Sequence, residues 1–273
     1  MRPSFCGIFA IALGASAALF PARAAEDVPF VTTPDNVTAA MLEMAKIGKR
    51  DFVIDLGSGD GRIVIAAAAR FGASGLGVEL IPDLVRRSRE NAKRAGVEAR
   101  TEFREQDLFE TDLRKATVVT LYLLPEVNLQ LRPKLLALKP GTRIVSHDWD
   151  MGDWKPDQER KLAVPDKKVG LEKSSRVYLW TVPAQIGGAW CGTGAARGTT
   201  LELRQQFQEF QGEFVVDGGA AKPFEGRVEG SALRITKTAA ERFELMLSRK
   251  RLVISFGSSP FSTQRAIAFS RCK

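Results

Sequence analysis

The sequence is poor in the side chains that most often bind metals: it has one histidine, His147, and three cysteines in 273 residues. No C-x-x-C, histidine pair or carboxylate cluster has metal-ligand spacing, so no metal site is expected. Long apolar runs are also missing, because the stretch Ile8–Phe20 falls short of the roughly 20 residues that cross a bilayer. Dense Lys/Arg runs with interleaved aromatics are absent too. The formal charge of +8 therefore reads as a scattered basic surface, and no nucleic-acid partner is indicated.

The apolar stretch has a different use. Arg2 precedes it, and Pro21 leads out of it into Ala22-Arg23-Ala24, the small-x-small pattern that a signal peptidase cuts. Residues 1–24 are expected to be a cleaved signal peptide rather than an uncleaved anchor, leaving an exported chain, periplasmic or secreted, with no transmembrane segment. No twin arginine and no cysteine at the cut point suggest a lipid anchor or folded export. Cys6 leaves with the leader. Cys191 and Cys272 remain, either as two unrelated thiols or, in an oxidising compartment, as one disulfide. Such a bond would close a loop of about 80 residues and contribute about 4 kcal/mol in the chain-entropy picture.

From Asp51 short β-branched runs alternate with helical periods, the pattern of an α/β parallel sheet with crossover helices. Strands are expected at Asp51–Leu56, Ser74–Glu79, Ala99–Glu105, Thr117–Leu123 and Thr142–Ser146. Helices are expected at Arg62–Phe71, Pro82–Ala95 and Glu126–Leu138, the second with a basic outer face. Runs near Lys161–Val164 and Arg176–Val182 would add a terminal antiparallel hairpin. Residues 25–183 form this first domain, 184–188 read as a linker, and 189–273 carry all-β punctuation, expected to form a small barrel or sandwich. In that second region Phe207–Phe210 is read as strand rather than a helical turn.

The most informative stretch is Phe52-Val-Ile-Asp-Leu-Gly-Ser-Gly-Asp-Gly-Arg62, a strand feeding a glycine-rich turn and then a helix. Such a turn lets a ligand approach the backbone and sets negative groups at a helix N-terminus. The G-x-G-x-G spacing of Gly57, Gly59 and Gly61 is not the dinucleotide pattern, and no phosphate-loop Lys-Ser/Thr follows. Glu79 ends the second strand, where a carboxylate can accept both hydroxyls of a ribose. Asp107-Leu108 follows the third strand, an acid beside an apolar residue suited to an adenine, or else a solvated acid.

With these in order, residues from about Pro29 to Pro183 resemble the class I S-adenosylmethionine-dependent methyltransferases. The resemblance implies a seven-stranded Rossmann-like sheet with its last strand antiparallel, and the cofactor S-adenosyl-L-methionine (AdoMet) over the strand C-termini. It places Asp55, Gly57, Gly59 and Gly61 around the methionine moiety, Glu79 on the ribose, and Asp107 with Leu108 at the adenine. Val31-Thr-Thr-Pro34 and the Asp60-Gly-Arg-Ile extension are similar to the small protein-lysine methyltransferases, including those of the ATP synthase c-subunit type. In that reading Thr32 or Thr33 lies against the carboxylate end of AdoMet; the alternative is an ordinary helix cap at Asp35.

The fourth strand ends in Tyr122-Leu-Leu-Pro-Glu126 and lacks the Asn/Asp-Pro-Pro-aromatic grip of nucleobase and glutamine methyltransferases. A protein amino group, lysine above all, is the methyl acceptor the resemblance points to. Pro125 turns the chain toward the methyl group with Tyr122 and Glu126 nearby, and a lysine nucleophile must lose a proton, for which Glu126, His147 or Asp148 are the reachable candidates. His147 is either a site residue or a hydrogen-bonded strand end, and Trp149 and Trp154 either lid the cleft or fill it. An exported binding protein reusing the fold for another small ligand is the second reading, motivated by the leader.

Overall fold

The structure, a computed structural model, describes residues 31–168, 172–238, 243–257 and 267–272. The expected signal peptide lies outside them. Helix α1 (Asp35–Met44) precedes an alternating series of β1 (Phe52–Leu56), α2 (Arg62–Phe71), β2 (Ser74–Glu79), α3 (Pro82–Arg94) and β3 (Thr101–Glu105). It continues with β4 (Val118–Leu121), α4 (Pro125–Leu136), β5 (Arg143–His147) and the hairpin β6 (Gln158–Ala163) and β7 (Ser174–Thr181).

These strands form one seven-stranded sheet in the order β3-β2-β1-β4-β5-β7-β6. Only β7 runs against its neighbours β5 and β6. Strand order reverses between β1 and β4, which places a crevice for ligands at their C-terminal ends. Because side chains alternate across a strand, Val53, Val118 and Val145 join Met41, Leu42 and Ala67 on one face. Ile54, Val119 and Ile144 join Leu131 and Leu135 of α4 on the other. The buried residues of α2, Ile63, Val64, Ala67 and Ala68, recur at helical spacing.

Helix and strand positions agree with expectation to within a few residues. Two boundaries matter for chemistry. The fourth strand stops at Leu121, so Tyr122 and Leu123 belong to the turn into α4, which Pro125 opens; β5 reaches His147.

The second region closes as a barrel, not a sandwich. Strands β8 (Gly188–Thr193), β9 (Thr199–Gln206), β10 (Glu209–Val216), β11 (Lys222–Glu229) and β12 (Ala232–Thr238) are followed by β13 (Phe243–Ser248), β14 (Arg251–Gly257) and β15 (Ala268–Arg271). Each pairs antiparallel with the next, and β15 returns to β8. Trp190, Leu203, Phe210, Phe224, Leu233 and Phe269 fill it. Cys191 and Cys272 are bonded, their Cα atoms 5.0 Å apart, tying the first strand to the end of the last. Phe207-Gln208 is a two-residue hairpin turn between β9 and β10, with Phe207 at φ 52°. The strand expected over Phe207–Phe210 is therefore broken there.

The stretch expected as a linker is packed: Ala184 and Ile186 are buried in the barrel core. Ala184 N donates to the Gly230 carbonyl at 2.7 Å. The hairpin turn reaches the sheet domain, where Phe207 stacks on Trp154 at 6.1 Å and Gln208 Nε2 donates to the Lys155 carbonyl at 2.6 Å. Arg227 of β11 pairs with Asp157. Trp154 is fully buried and thus fills this junction, whereas Trp149 is exposed beyond β5. No helix among the described residues is long and apolar enough to cross a membrane.

Candidate active site

The turn after β1 is built from backbone that only glycine adopts readily: Gly57, Gly59 and Gly61 lie at φ 76°, 53° and 80°. The turn is tied to β2, since Gly57 N and Ser58 N both donate to the Val78 carbonyl, at 3.0 and 2.9 Å. Glu79 completes this tie. One carboxylate oxygen accepts from Gly59 N at 3.0 Å, and the other accepts from Leu80 N at 2.8 Å and Ile81 N at 3.1 Å. The carboxylate is thereby held rigidly at the strand end, with one lone-pair site left on the oxygen that accepts from Gly59, free for a ligand hydroxyl.

Around it the rim is apolar and solvent-facing. Leu80 is 61% exposed, and Ile81, Phe109 and Leu124 are exposed as well, unusual for such side chains. Asp107 is half-buried, its Oδ1 accepting from Phe109 N at 2.7 Å, and Leu108 packs half-buried against the core. A Cβ on Gly57 would lie 3.0 Å from Leu123 Cδ2, so the β1 and β4 turns approach closely there, with the tip of Leu123 the one near neighbour. An amphiphilic ligand carrying a hydroxyl and a flat ring fits this set of groups: Glu79 accepts from the hydroxyl, and Asp107 with Leu108 meets the ring.

Asp55 lies beneath the turn, only 2% exposed, its Oδ1 accepting from Thr120 Oγ1 of β4 at 2.6 Å. Burial pushes its carboxyl up to about 7, the Thr120 hydrogen bond opposing, and the charges of Glu79 and Asp60 add to the rise. Asp60 is paired. Arg62 grips its carboxylate at 2.7 and 3.0 Å and donates through Nη1 to the Thr33 carbonyl at 2.8 Å. The segment before α1 is thus clamped to the glycine turn. Asp35 makes no side-chain cap, since Pro34 holds the cap position.

A second cluster sits at the ends of β4 and β5. The rings of Tyr122 and His147 stack, centroids 3.9 Å apart. His147 is 1% exposed, with Nδ1 3.3 Å from Thr33 Oγ1 and Nε2 2.9 Å from Ser175 Oγ. Burial, with the nearby Lys167 ammonium adding to it and Asp148 opposing, pushes His147 down to about 4. The ring is therefore neutral at physiological pH, both nitrogens engaged. Burial and the Asp148 charge push the Tyr122 phenol up. Asp148 has φ 62°, rare for a non-glycine residue and frequent at functional sites. Its Oδ1 accepts from Arg176 N at 2.8 Å and its Oδ2 from Lys167 Nζ at 2.7 Å.

The structure so brings Thr33, Tyr122, His147 and Asp148 together, and joins them through Arg62 and Asp60 to the glycine turn. Glu126 stands apart, exposed in the first turn of α4. Four participants go beyond the residues singled out from sequence: Arg62, Thr120, Lys167 and Ser175. Arg62 is visible in the Asp60-Gly-Arg spacing. Thr120, Lys167 and Ser175 reach the site from other strands and connections, and nothing in their local sequence marks them. Among the described residues no group of His, Cys, Asp or Glu could hold a metal ion.

Residues 55–158 match the family described as the ANTKMT methyltransferase domain. Over 137 residues the chain is 44% identical to a protein-lysine N-methyltransferase of Saccharolobus islandicus, covering 50% of this chain and 85% of that one. It is 37% identical over 131 residues to the ATP synthase c-subunit lysine N-methyltransferase of Mus musculus, covering 48% of this chain and 52% of the mouse protein. The chain thus spans about half the length of the mouse relative. Among solved structures, an RNA methyltransferase from Salinibacter ruber in complex with S-adenosyl-L-homocysteine is 54% identical with a TM-score of 0.51, covering 57% of this chain and 96% of that one.

Proposed function

This chain belongs to the family of S-adenosylmethionine-dependent methyltransferases that includes the protein-lysine enzyme of Saccharolobus islandicus, and on that premise we propose that it methylates lysine side chains of a protein acceptor. The observation that carries the proposal is the 44% identity over 85% of that relative, on a chain whose glycine turn and Glu79 are intact. Each relative named above is a methyltransferase, which supports catalysis over the binding-protein reading.

When bound, AdoMet supplies an electrophilic methyl group on a sulfonium. Gly57, Gly59 and Gly61 would admit its methionine end to the backbone, Glu79 its ribose, and Asp107 with Leu108 its adenine. Methyl transfer is an in-line displacement by the neutral amine, so the acceptor ammonium must first give up one proton, to the Asp148 carboxylate beside it or to water, and the chain's further task is to orient the amine and exclude water during transfer. Neutral His147, fixed by Thr33 and Ser175, braces Tyr122. Asp148 is the carboxylate of this cluster that already receives an ammonium, which favours it over exposed Glu126 for holding the acceptor nitrogen. Export to the periplasm or beyond is part of the proposal, supported by the leader-like N-terminus and by the Cys191–Cys272 bond, a feature of oxidising compartments.

Methyl transfer from tritiated AdoMet should label lysines of a protein extract and leave an RNA extract unlabelled; label in RNA alone would overturn the lysine assignment. Glu79→Ala should weaken AdoMet binding about tenfold to a hundredfold, in line with the roughly 1.5–3 kcal/mol of hydrogen bonds to a charged group. Calorimetry reads this directly. Unchanged affinity in a folded variant would remove Glu79 from the ribose.

A further inference from the structure

Lys167 is a flexible donor set against two rigid acceptors. It lies in the connection between β6 and β7, outside either strand, and its Nζ donates to Asp148 Oδ2 and to the Ser174 carbonyl, each at 2.7 Å. Both acceptors are fixed by backbone. Asp148 is held at φ 62° with Oδ1 on Arg176 N, and Ser174 opens β7, in register with Ala163. The donor, by contrast, is the end of a four-carbon stem with several rotatable bonds. The neighbouring positive groups do not compete for this place: Arg176 extends its guanidinium to Glu159 at 2.6 Å, and His147 is neutral. Beside it stand the stacked rings of Tyr122 and His147.

We propose that Asp148 Oδ2 and the Ser174 carbonyl form the receiving site for a primary ammonium, the side-chain nitrogen of an acceptor lysine, and that Lys167 fills this site as an internal stand-in until the acceptor displaces it. The proposal rests on the lysine reading above. It explains why a buried-side lysine, 14% exposed, sits among the residues expected to do the chemistry. It also explains the left-handed Asp148 backbone, which sets Oδ2 on the ammonium, with Ser175 Oγ 3.5 Å and His147 Nε2 3.4 Å away, while the peptide N–H of Arg176 pins Oδ1.

The test is binding of Nα-acetyl-lysine methylamide to the full chain, read by calorimetry without methyl transfer. Lys167→Met should bind this probe about tenfold more tightly than the parent, because the internal competitor is gone. Lys167→Arg should show no gain, and adding Asp148→Asn to Lys167→Met should abolish it, as should acetylation of the probe's side-chain nitrogen. Equal or weaker binding by folded Lys167→Met would overturn the proposal, since a structural lysine leaves Asp148 worse placed when removed. The parent chain offers a second reading that needs no variant. Saturating probe should shift the side-chain Cε–H resonance of Lys167 in the NMR spectrum, and an unmoved resonance would equally overturn the proposal. A gain in ammonium binding by a chain that labels no protein lysine would reject the lysine reading alone; labelled lysines without any gain would reject the subsite alone.

Discussion

Asp55→Asn is expected to be more stable than the parent chain at pH 8, part of that gain already present at pH 5, and no more stable at about pH 3.5, below the unfolded carboxyl's own range. The carboxyl is buried under the glycine turn and pushed from 3.8 to about 7, chiefly by desolvation and then, against the Thr120 hydrogen bond, by the charges of Glu79 and Asp60. Between about pH 4 and 7 the unfolded chain has released this proton while the native chain keeps it. The native state then binds more protons, so stability falls as pH rises through this window. The full cost, reached above pH 7, is on the order of 4 kcal/mol at 1.36 kcal/mol per pH unit of separation. Asparagine keeps an oxygen for Thr120 Oγ1 and carries no charge. Denaturant titrations of parent and variant from about pH 3.5 to 8 isolate the effect as a difference, and a difference that stays flat would show that Asp55 ionises normally. The same substitution should weaken AdoMet binding at pH 8, because the carboxylates of Asp55, Asp60 and Glu79 converge on a site for a cationic cofactor. A variant that gains stability while losing its ligand is the usual signature of a strained functional group.

That pairing of strain and function explains which parts of the molecule are legible in the sequence. Strand β2 and helix α2 are readable to the residue because apolar period, Pro82 and the flanking glycines all agree on local structure. The glycine turn and Glu79 are readable because they are contiguous signals on one β-α-β unit. The Tyr122–His147–Asp148 cluster is half readable: its members end adjacent strands, but Lys167 and Ser175 arrive from the connection before β7 and from β7 itself. Sheet order, not sequence distance, brings them in. The Phe207 turn departs from expectation for a similar reason. Its aromatic side chain reads as strand, yet it takes φ 52° because it is anchored against Trp154, far back in the chain, by the same junction that joins Gln208 to Lys155. Long-range packing overrides local preference there.

Gly61→Val should cost the fold more than any other single change in the glycine turn, about 2–5 kcal/mol. Two contributions add. Gly61 caps α2 at φ 80° and ψ 5°, a conformation that costs a β-branched residue roughly 1–2 kcal/mol. A Cβ there would also lie 2.7 and 2.8 Å from ring atoms of Phe103 and 2.8 Å from Ser88 Cβ. Both neighbours are buried, Phe103 in the core cluster that joins α2 to α3 and Ser88 on the inner face of α3, so neither can yield without moving a helix or strand. Overpacking of this kind typically costs about 1–3 kcal/mol. Gly57→Ala provides the contrast. Gly57 is exposed, and its nearest obstacle is the mobile tip of Leu123, 3.0 Å away, so stability should fall by only about 1–2 kcal/mol. Its methyl group nevertheless enters the space where β1 and β4 would admit the cofactor, and AdoMet binding should be lost. Urea unfolding and calorimetry with S-adenosylhomocysteine separate the two glycines: Gly61 holds the turn against α3 and β3, while Gly57 keeps it open to the ligand. A Gly61→Val chain within about 1 kcal/mol of the parent would mean that α3 moves freely over β3 and that the turn is not locked by packing.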